Sequence, residues 1–208
     1  EFLGTSISSA GDVNGDGYAD ILIGAYGFTN GESDEGKVFV FFGSSAGLSA
    51  SDDWNEEINQ VSAFFGTSVA TAGDINGDGF SDIIVGAIQY DNGQSDEGKV
   101  FLYTGYADGL RTTENWTYEI NSIYANFGCS VASAGDINGD GYGDVIVGAE
   151  FYSNGENSEG AAFVFTGSST GLSNFPGWSF ESNQAEAIFG SSVSTAGDLN
   201  SDGFFDVI

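Results

Sequence analysis

Short apolar runs return along the chain at a fixed interval, separated by polar loops of similar composition. Ile21-Leu22-Ile23, Ile83-Ile84-Val85 and Val145-Ile146-Val147 stand 62 residues apart. A second set keeps the same step: Val38-Phe39-Val40-Phe41-Phe42, Val100-Phe101-Leu102-Tyr103 and Ala162-Phe163-Val164-Phe165. Both sets are continuous in apolar residues rather than alternating, which predicts β-strands covered on both faces. Ahead of them lie segments of small and β-branched residues such as Thr67-Ser68-Val69-Ala70-Thr71-Ala72. Side chains that small suit an innermost strand in a crowded place near an axis. Each unit opens on Phe-Gly or a variant: Leu3-Gly4, Phe65-Gly66, Phe127-Gly128 and Phe189-Gly190. Each closes on a segment around Trp54, Trp116 or Trp178. In Trp116-Thr117-Tyr118-Glu119-Ile120 apolar and polar residues alternate, as in a strand with one exposed face.

That makes four short strands per unit and no helical period. A four-stranded sheet buried on both faces needs neighbours on both sides, and sheets of this size repeated radially form a β-propeller. The expected fold is therefore all-β: antiparallel four-stranded blades over approximately 1–62, 63–124 and 125–186, with a partial fourth at 187–208, all within one propeller segment. A linear β-solenoid is the alternative, but its repeats are usually shorter, roughly 20–30 residues. Three blades and part of a fourth do not close a ring. The sequence starts without Met and stops in an apolar run, so the expectation is a piece of a longer protein. Further blades would come from the rest of that chain or from another copy, and open strand edges at both ends would allow head-to-tail assembly.

Between the first and second strands of every unit lies one conserved-by-repetition loop, Asp-x-Asn-x-Asp-Gly-x-x-Asp. Its oxygen-bearing side chains are Asp12, Asn14, Asp16 and Asp20; Asp74, Asn76, Asp78 and Asp82; Asp136, Asn138, Asp140 and Asp144; and Asp198, Asn200, Asp202 and Asp206. All are hard oxygen donors at positions 1, 3, 5 and 9, with no sulfur or imidazole, a set that suits Ca²⁺ rather than zinc or copper. The backbone carbonyl at position 7 would add a ligand from Tyr18, Phe80, Tyr142 and Phe204. One ion per loop gives up to four. An EF-hand shares the first half of the pattern but needs an acid at position 12. Here position 12 is Ile23, Val85 or Val147, inside a strand. The fourth loop carries Ser201 where the others have Gly.

The charge sharpens this picture. There are 31 acidic residues against 3 Lys and Arg, no histidine, and a formal net charge of −28. Nucleic acid is excluded as a partner, since binding it requires basic groups to displace counterions. No apolar run approaches the ~20 residues of a membrane-spanning helix, so no direct membrane insertion is expected. Cys129 is the only cysteine, which rules out an intramolecular disulfide and points to a small buried residue.

Phe-Gly, then Gly-Asp-x-Asn-Gly-Asp-Gly-x-x-Asp, then Gly24-Ala25, Gly86-Ala87 and Gly148-Ala149 together resemble the FG-GAP repeat of integrin α-subunit propellers and many bacterial surface proteins. The proline that usually follows is replaced by Tyr26, Ile88 and Glu150. The resemblance covers essentially the whole chain. It implies a β-propeller carrying calcium in the loop between the first two strands of each blade. No recognition surface of an integrin carries over.

The functional expectation is an extracellular or cell-surface, non-enzymatic adhesion or structural module with a protein or glycan ligand. A carbohydrate-binding propeller is the alternative. Phe28, Tyr90 and Tyr152 recur in the loops between second and third strands, beside Asn30, Asn92 and Asn154, and could form a ligand rim. Packing of these rings against the next blade is the reading preferred over a rim. A polysaccharide-active enzyme is a further alternative, weakened by the lack of histidine. Asn115-Trp116-Thr117 is a glycosylation sequon, though Trp116 is expected in a core strand.

Overall fold

The computed structural model describes residues 2–208. Among them there is no helix, and the regular elements are all strands. The first blade is β1 (Ser6–Gly11), β2 (Asp20–Ala25), β3 (Lys37–Phe41) and β4 (Trp54–Glu57), hydrogen-bonded in that order. The second is β5 (Phe65–Gly73), β6 (Asp82–Ala87) and β7 (Lys99–Tyr103), edged by β10 (Trp116–Glu119). A small hairpin of β8 (Gly105–Tyr106) and β9 (Gly109–Leu110) precedes that outer strand. The third is β11 (Phe127–Gly135), β12 (Asp144–Ala149), β13 (Ala161–Phe165) and β14 (Trp178–Glu181). A pair, β15 (Thr195–Gly197) and β16 (Asp206–Val207), begins a fourth. All pairings within the sheets are antiparallel, and isolated parallel bridges join Gly36 to Phe65 and Gly160 to Phe189 of the next blade. The sheets are separate four-stranded units packed face to face, which is the propeller arrangement and not a solenoid coil.

The register repeats with the sequence. Ile21 faces Phe41, Ile83 faces Tyr103 and Val145 faces Phe165. At the outer pair Lys37 faces Glu57, Lys99 faces Glu119, and Ala161 faces Glu181. Strands β6 and β12 are buried at every position, as the continuous apolar runs predict. In β3 burial alternates instead, because one face of the first blade is not covered within this chain.

Three layers of side chains between the blades form the core, the smallest joining Ile146, Ala162 and Val164 of the third blade to Val193 of the partial fourth. Val38, Val40 and Trp54 of the first blade meet Phe65, Phe101 and Tyr103 of the second. Val100 and Leu102 then meet Phe127, Phe163 and Phe165. The tryptophans are hooks across these layers. Trp54 lies 5.1 Å from the Tyr103 ring and donates its indole N–H to the Arg111 carbonyl at 3.1 Å. Trp116 repeats this with Phe165 at 5.1 Å and the Ser173 carbonyl at 3.2 Å. The indole thereby buries its apolar body and satisfies its single donor.

The first strands β1, β5, β11 and β15 lie against one another in turn, and their small residues permit this. The motif glycines make the closest approach. Gly24, Gly86 and Gly148 sit against the carbonyls of Gly66, Gly128 and Gly190 of the following blade, so near that a methyl group at Gly86 would stand 2.1 Å from the Gly128 oxygen. Ser6 and Ser68 hydroxyls donate to the same carbonyls, at 2.7 and 2.6 Å. Phe-Gly and Gly-Ala are thus two halves of one contact between successive blades.

Candidate metal centres

Each aspartate loop folds over its own backbone amides. In the first, Asp12 accepts N–H bonds from Asp16 at 3.1 Å and Gly17 at 2.8 Å, one on each carboxylate oxygen. Asn14 Oδ1 accepts from the Asp16 amide at 3.0 Å, and Asp16 Oδ1 from the Tyr18 amide at 2.9 Å. Asp74, Asn76 and Asp78 do the same toward Asp78, Gly79 and Phe80. So do Asp136, Asn138 and Asp140 toward Asp140, Gly141 and Tyr142, and Asp198, Asn200 and Asp202 toward Asp202, Gly203 and Phe204. These side-chain-to-backbone bonds pull positions 1, 3 and 5 to one side of the loop. The reversal needs positive φ at position 6, filled by glycine throughout, and also at position 4, where Ser201 adopts φ 61° in the fourth loop. That serine holds a left-handed conformation at some steric cost.

Position 9 is built differently. Asp20, Asp82 and Asp144 are buried at the start of the second strand. Asp82 accepts the Ile75 amide at 3.0 Å on one oxygen and the Gly105 amide at 2.9 Å on the other. Asp20 binds Val13 and Gly43 likewise, and Asp144 binds Ile137 and Gly167. Asp206 accepts from Leu199 at 2.8 Å. In the three complete blades this carboxylate ties the aspartate loop to the turn leaving the third strand. Burial pushes Asp82 up to about 7, with the charges of Asp78 and Asp74 adding to the rise. Burial likewise raises Asp20 and Asp144, again reinforced by the position 5 and position 1 charges.

The loops also join one another along one rim. The Asp12 carbonyl accepts from the Ser81 amide at 2.9 Å, Asp74 from Gly143 at 2.8 Å, and Asp136 from Phe205 at 3.3 Å. The position 7 rings of Phe80, Tyr142 and Phe204 lie over Gly15, Gly77 and Gly139 of the preceding loop. Tyr18, in the first loop, has no preceding loop within this chain to cover.

Among the described residues no three acidic side chains converge tightly enough to form a closed metal cluster. The loop carboxylates bend toward backbone amides. The donor set nevertheless fits a hard cation. Oδ1 of Asp74 and of Asp136 accepts two amides each, but Oδ2 accepts one and keeps a second lone pair, and positions 1 and 5 add through their charge to the rise that burial gives position 9. A bound divalent ion would supply the positive charge this arrangement lacks.

The opposite rim holds the recurring aromatics. Phe28, Tyr90 and Tyr152 pack on the third strand of their own blade, with ring centroids 6.3, 5.8 and 5.8 Å from Phe39, Phe101 and Phe163. Asn30, Asn92 and Asn154 donate their side-chain amides to Glu57, Glu119 and Glu181. Asn115 is exposed, and its Oδ1 accepts from the backbone and hydroxyl of Thr104 at 3.0 and 2.9 Å.

A third set of repeated acids escapes sequence reasoning. Glu35, Glu97 and Glu159, in the loops between second and third strands, are wholly buried. One oxygen of each accepts a backbone amide, from Asn30, from Asn92 at 2.7 Å and from Asn154 at 2.7 Å. The other oxygen is buried without a hydrogen-bond partner. Their backbone carbonyls accept the amides of Phe65, Phe127 and Phe189 of the next blade, which explains the burial. The signal that could have found them is the 62-residue step itself, which these glutamates share with the aspartates.

The FG-GAP repeat model matches residues 3–41, 65–103 and 127–165, each from the opening strand to the third strand of a blade. Integrin alpha-V of Gallus gallus is 31% identical over 100% of this chain and 20% of that protein. Phosphatidylinositol-glycan-specific phospholipase D of Bos taurus is 35% identical over 80% of this chain and 21% of that protein. The chain therefore spans about a fifth of the length of these relatives. Among solved structures, a rhamnogalacturonan lyase superposes with a TM-score of 0.58 over 97% of this chain and 40% of that one, at 14% identity, a likeness of fold alone. Three matched repeats, each placing the motif glycines at a blade contact and the aspartates in one loop, establish that the chain belongs to the FG-GAP repeat family.

Proposed function

We propose that the chain is a calcium-stabilised, non-enzymatic module of an extracellular or cell-surface protein, serving adhesion or structure. The observation that carries this is the repeated loop: four copies with one hydrogen-bond pattern, linked carbonyl to amide along one rim. In each, the side chains of positions 1, 3, 5 and 9 and the carbonyl of position 7 would hold the ion, for example Asp74, Asn76, Asp78, Asp82 and Phe80. Asp82 also fixes the turn at Gly105, and the Asp74 carbonyl fixes Gly143 of the next blade. Ordering one loop therefore orders its neighbours. Support for a non-enzymatic role comes from the residue types: no histidine is present, and the single thiol is held protonated by burial. The acids that recur in every blade are engaged, the loop aspartates and Glu97 with backbone amides and Glu57, Glu119 and Glu181 with asparagine side chains. Relatives that include integrin alpha-V favour an extracellular setting, where millimolar calcium fills sites with dissociation constants of about 10⁻⁴–10⁻³ M.

The test is thermal unfolding with calcium and with a chelator. A site at ten times its dissociation constant contributes about 1.4 kcal/mol, so four sites together represent a large share of a typical domain's stability. The expected outcome is a fall in Tm of well over 10 °C on chelation, recovered on adding calcium back. An unchanged Tm overturns the calcium role.

A further inference from the structure

Only three basic side chains exist in this acidic chain, and two of them occupy equivalent places. Lys37 opens β3, and its Nζ lies 3.0 Å from Glu57 Oε2 and 5.0 Å from the Phe28 ring centre. Lys99 opens β7, with Nζ 3.3 Å from Glu119 Oε2 and 4.9 Å from the Tyr90 ring centre. Both ammonium groups also lie within 6 Å of the next ring along the strand, Phe39 at 5.8 Å and Phe101 at 5.7 Å. A carboxylate on one side and aromatic faces on the other make a built receptor for an alkylammonium ion.

The third blade has the receptor without the lysine. Ala161 stands at the equivalent position, opposite Glu181 in the same register. Tyr152 and Phe163 keep the edge-on pairing that Tyr90 and Phe101 show. Where the lysine stem runs in the other blades there is a cavity of about 170 Å³, lined by Tyr152, Asn154, Ala161, Phe163 and Glu181 among others. The Asn154 amide spans both oxygens of Glu181, at 3.2 and 3.1 Å, whereas Asn30 meets one oxygen of Glu57 and leaves the other to Lys37. Beyond the lining, the charges of Glu181 and Glu159 both reach Tyr152, whose hydroxyl pKa is raised first by burial; the unpartnered oxygen of Glu159 is shared by Glu35 and Glu97 in the lysine-filled blades and does not mark the cavity. The cavity lies on the face of the third blade turned toward the second, and at the opposite end of the blade from the aspartate loops.

We propose that this cavity binds the ammonium end of a lysine side chain from a partner protein, in the position that Lys37 and Lys99 fill internally. The site is independent of the calcium loops and does not rest on their occupancy. The specificity follows from the internal copies: an aliphatic stem beside the Phe163 and Tyr152 rings, and an ion pair with Glu181 such as both lysines make, which in the Lys37 copy is also a hydrogen bond.

The test uses the 208-residue chain and two small probes, Nα-acetyl-lysine N-methylamide and its norleucine counterpart, which lacks the ammonium. Titration followed by backbone NMR is expected to shift the amides of Tyr152 and Glu181 with the lysine probe, with a dissociation constant on the order of millimolar, and not with norleucine. Glu181→Gln weakens binding about tenfold or more. Ala161→Lys supplies the missing side chain, abolishes binding and raises Tm. Lys99→Ala opens the corresponding site in the second blade and raises the stoichiometry from one to two. No shift at about 50 mM probe, equal shifts with norleucine, or binding that survives Ala161→Lys overturns the proposal. Shifts at the same amides with calcium chloride alone, and none with the lysine probe, overturn it in favour of a metal site.

Discussion

Cys129 stands where Thr5, Thr67 and Ser191 stand in the other repeats, in the crowded first strand of its blade. It is half-buried, less covered than the sequence expectation of a buried residue, and its sulfur faces the Gly190 carbonyl at 3.5 Å. Burial pushes the thiol up to about 12, with the charge of Glu150 adding to the rise. Nucleophilic attack needs the thiolate. Alkylation by iodoacetamide at about pH 8 is therefore expected to be far slower in the folded protein than after denaturation, as mass spectrometry would read directly. Rapid modification of the folded chain would contradict the assignment. The linkage follows in sign. The folded state holds this proton more tightly than the unfolded state, whose value is near 9.0. The contribution is full below that value and is lost as pH rises toward 12, so Cys129→Ser should lessen alkaline destabilisation over that interval.

At the scale of the element, the contact between the motif glycines decides how closely blades stack. Glycine inside a strand is ordinarily a weakness that alanine relieves by roughly 0.5–1 kcal/mol. At Gly86 the sign reverses, since the added methyl would meet the Gly128 carbonyl at 2.1 Å and the Ser68 hydroxyl at 2.5 Å. Both blades would have to part. Gly86→Ala is expected to destabilise by about 3 kcal/mol, measured from the denaturant midpoint at constant slope. A neutral effect would mean the first strands are not held at this spacing. The strands and the aspartate loops were legible in the sequence because each is a local pattern repeated at one step. Ile83-Ile84-Val85 reads as a doubly covered strand without knowledge of its neighbours. The buried state of Glu97 was not legible. An acid in a glycine-rich loop ordinarily faces water, whereas Glu97 turns inward to accept the Asn92 amide while its backbone binds Phe127 of the next blade. The same limit applies to Tyr90. Its recurrence fits a rim or a packing role alike, and the contact with Lys99, nine residues downstream, lies outside any local pattern.

At the scale of the whole molecule, the aspartate loops form a chain of nearest-neighbour links. The second loop gives its Asp74 carbonyl to Gly143 of the third blade and receives the first loop's carbonyl at Ser81. Phe80 covers Gly15 behind it, and Tyr142 of the next loop covers its own Gly77. The fourth loop has such links on one side only within this chain: Phe205 binds Asp136, and Phe204 covers Gly139. Where stability is a sum of unit and nearest-neighbour contributions, removing an interior unit costs more than removing a terminal one. Asp78 and Asp202 occupy the same position in their loops and make the same backbone bond, to Phe80 at 3.1 Å and Phe204 at 3.0 Å. Asp78 also accepts the Asn76 side-chain amide at 2.9 Å, a bond Asp202 lacks, so local chemistry alone predicts that Asp78→Ala costs more than Asp202→Ala by one exposed hydrogen bond, about 1 kcal/mol or less. Coupling along the rim predicts that Asp78→Ala lowers Tm in calcium by several degrees beyond that, since each kcal/mol shifts a chain of this size by about 2–4 °C. Hydrogen exchange separates the two cases further. With Asp78→Ala the amides of Ser81 and Gly143 should both lose protection, one on each side of the rim contact, whereas Asp202→Ala should affect Phe205 and leave Gly143 protected. Tm changes that differ by no more than that one bond, with exchange confined to the substituted loop, would show that each loop is stabilised alone.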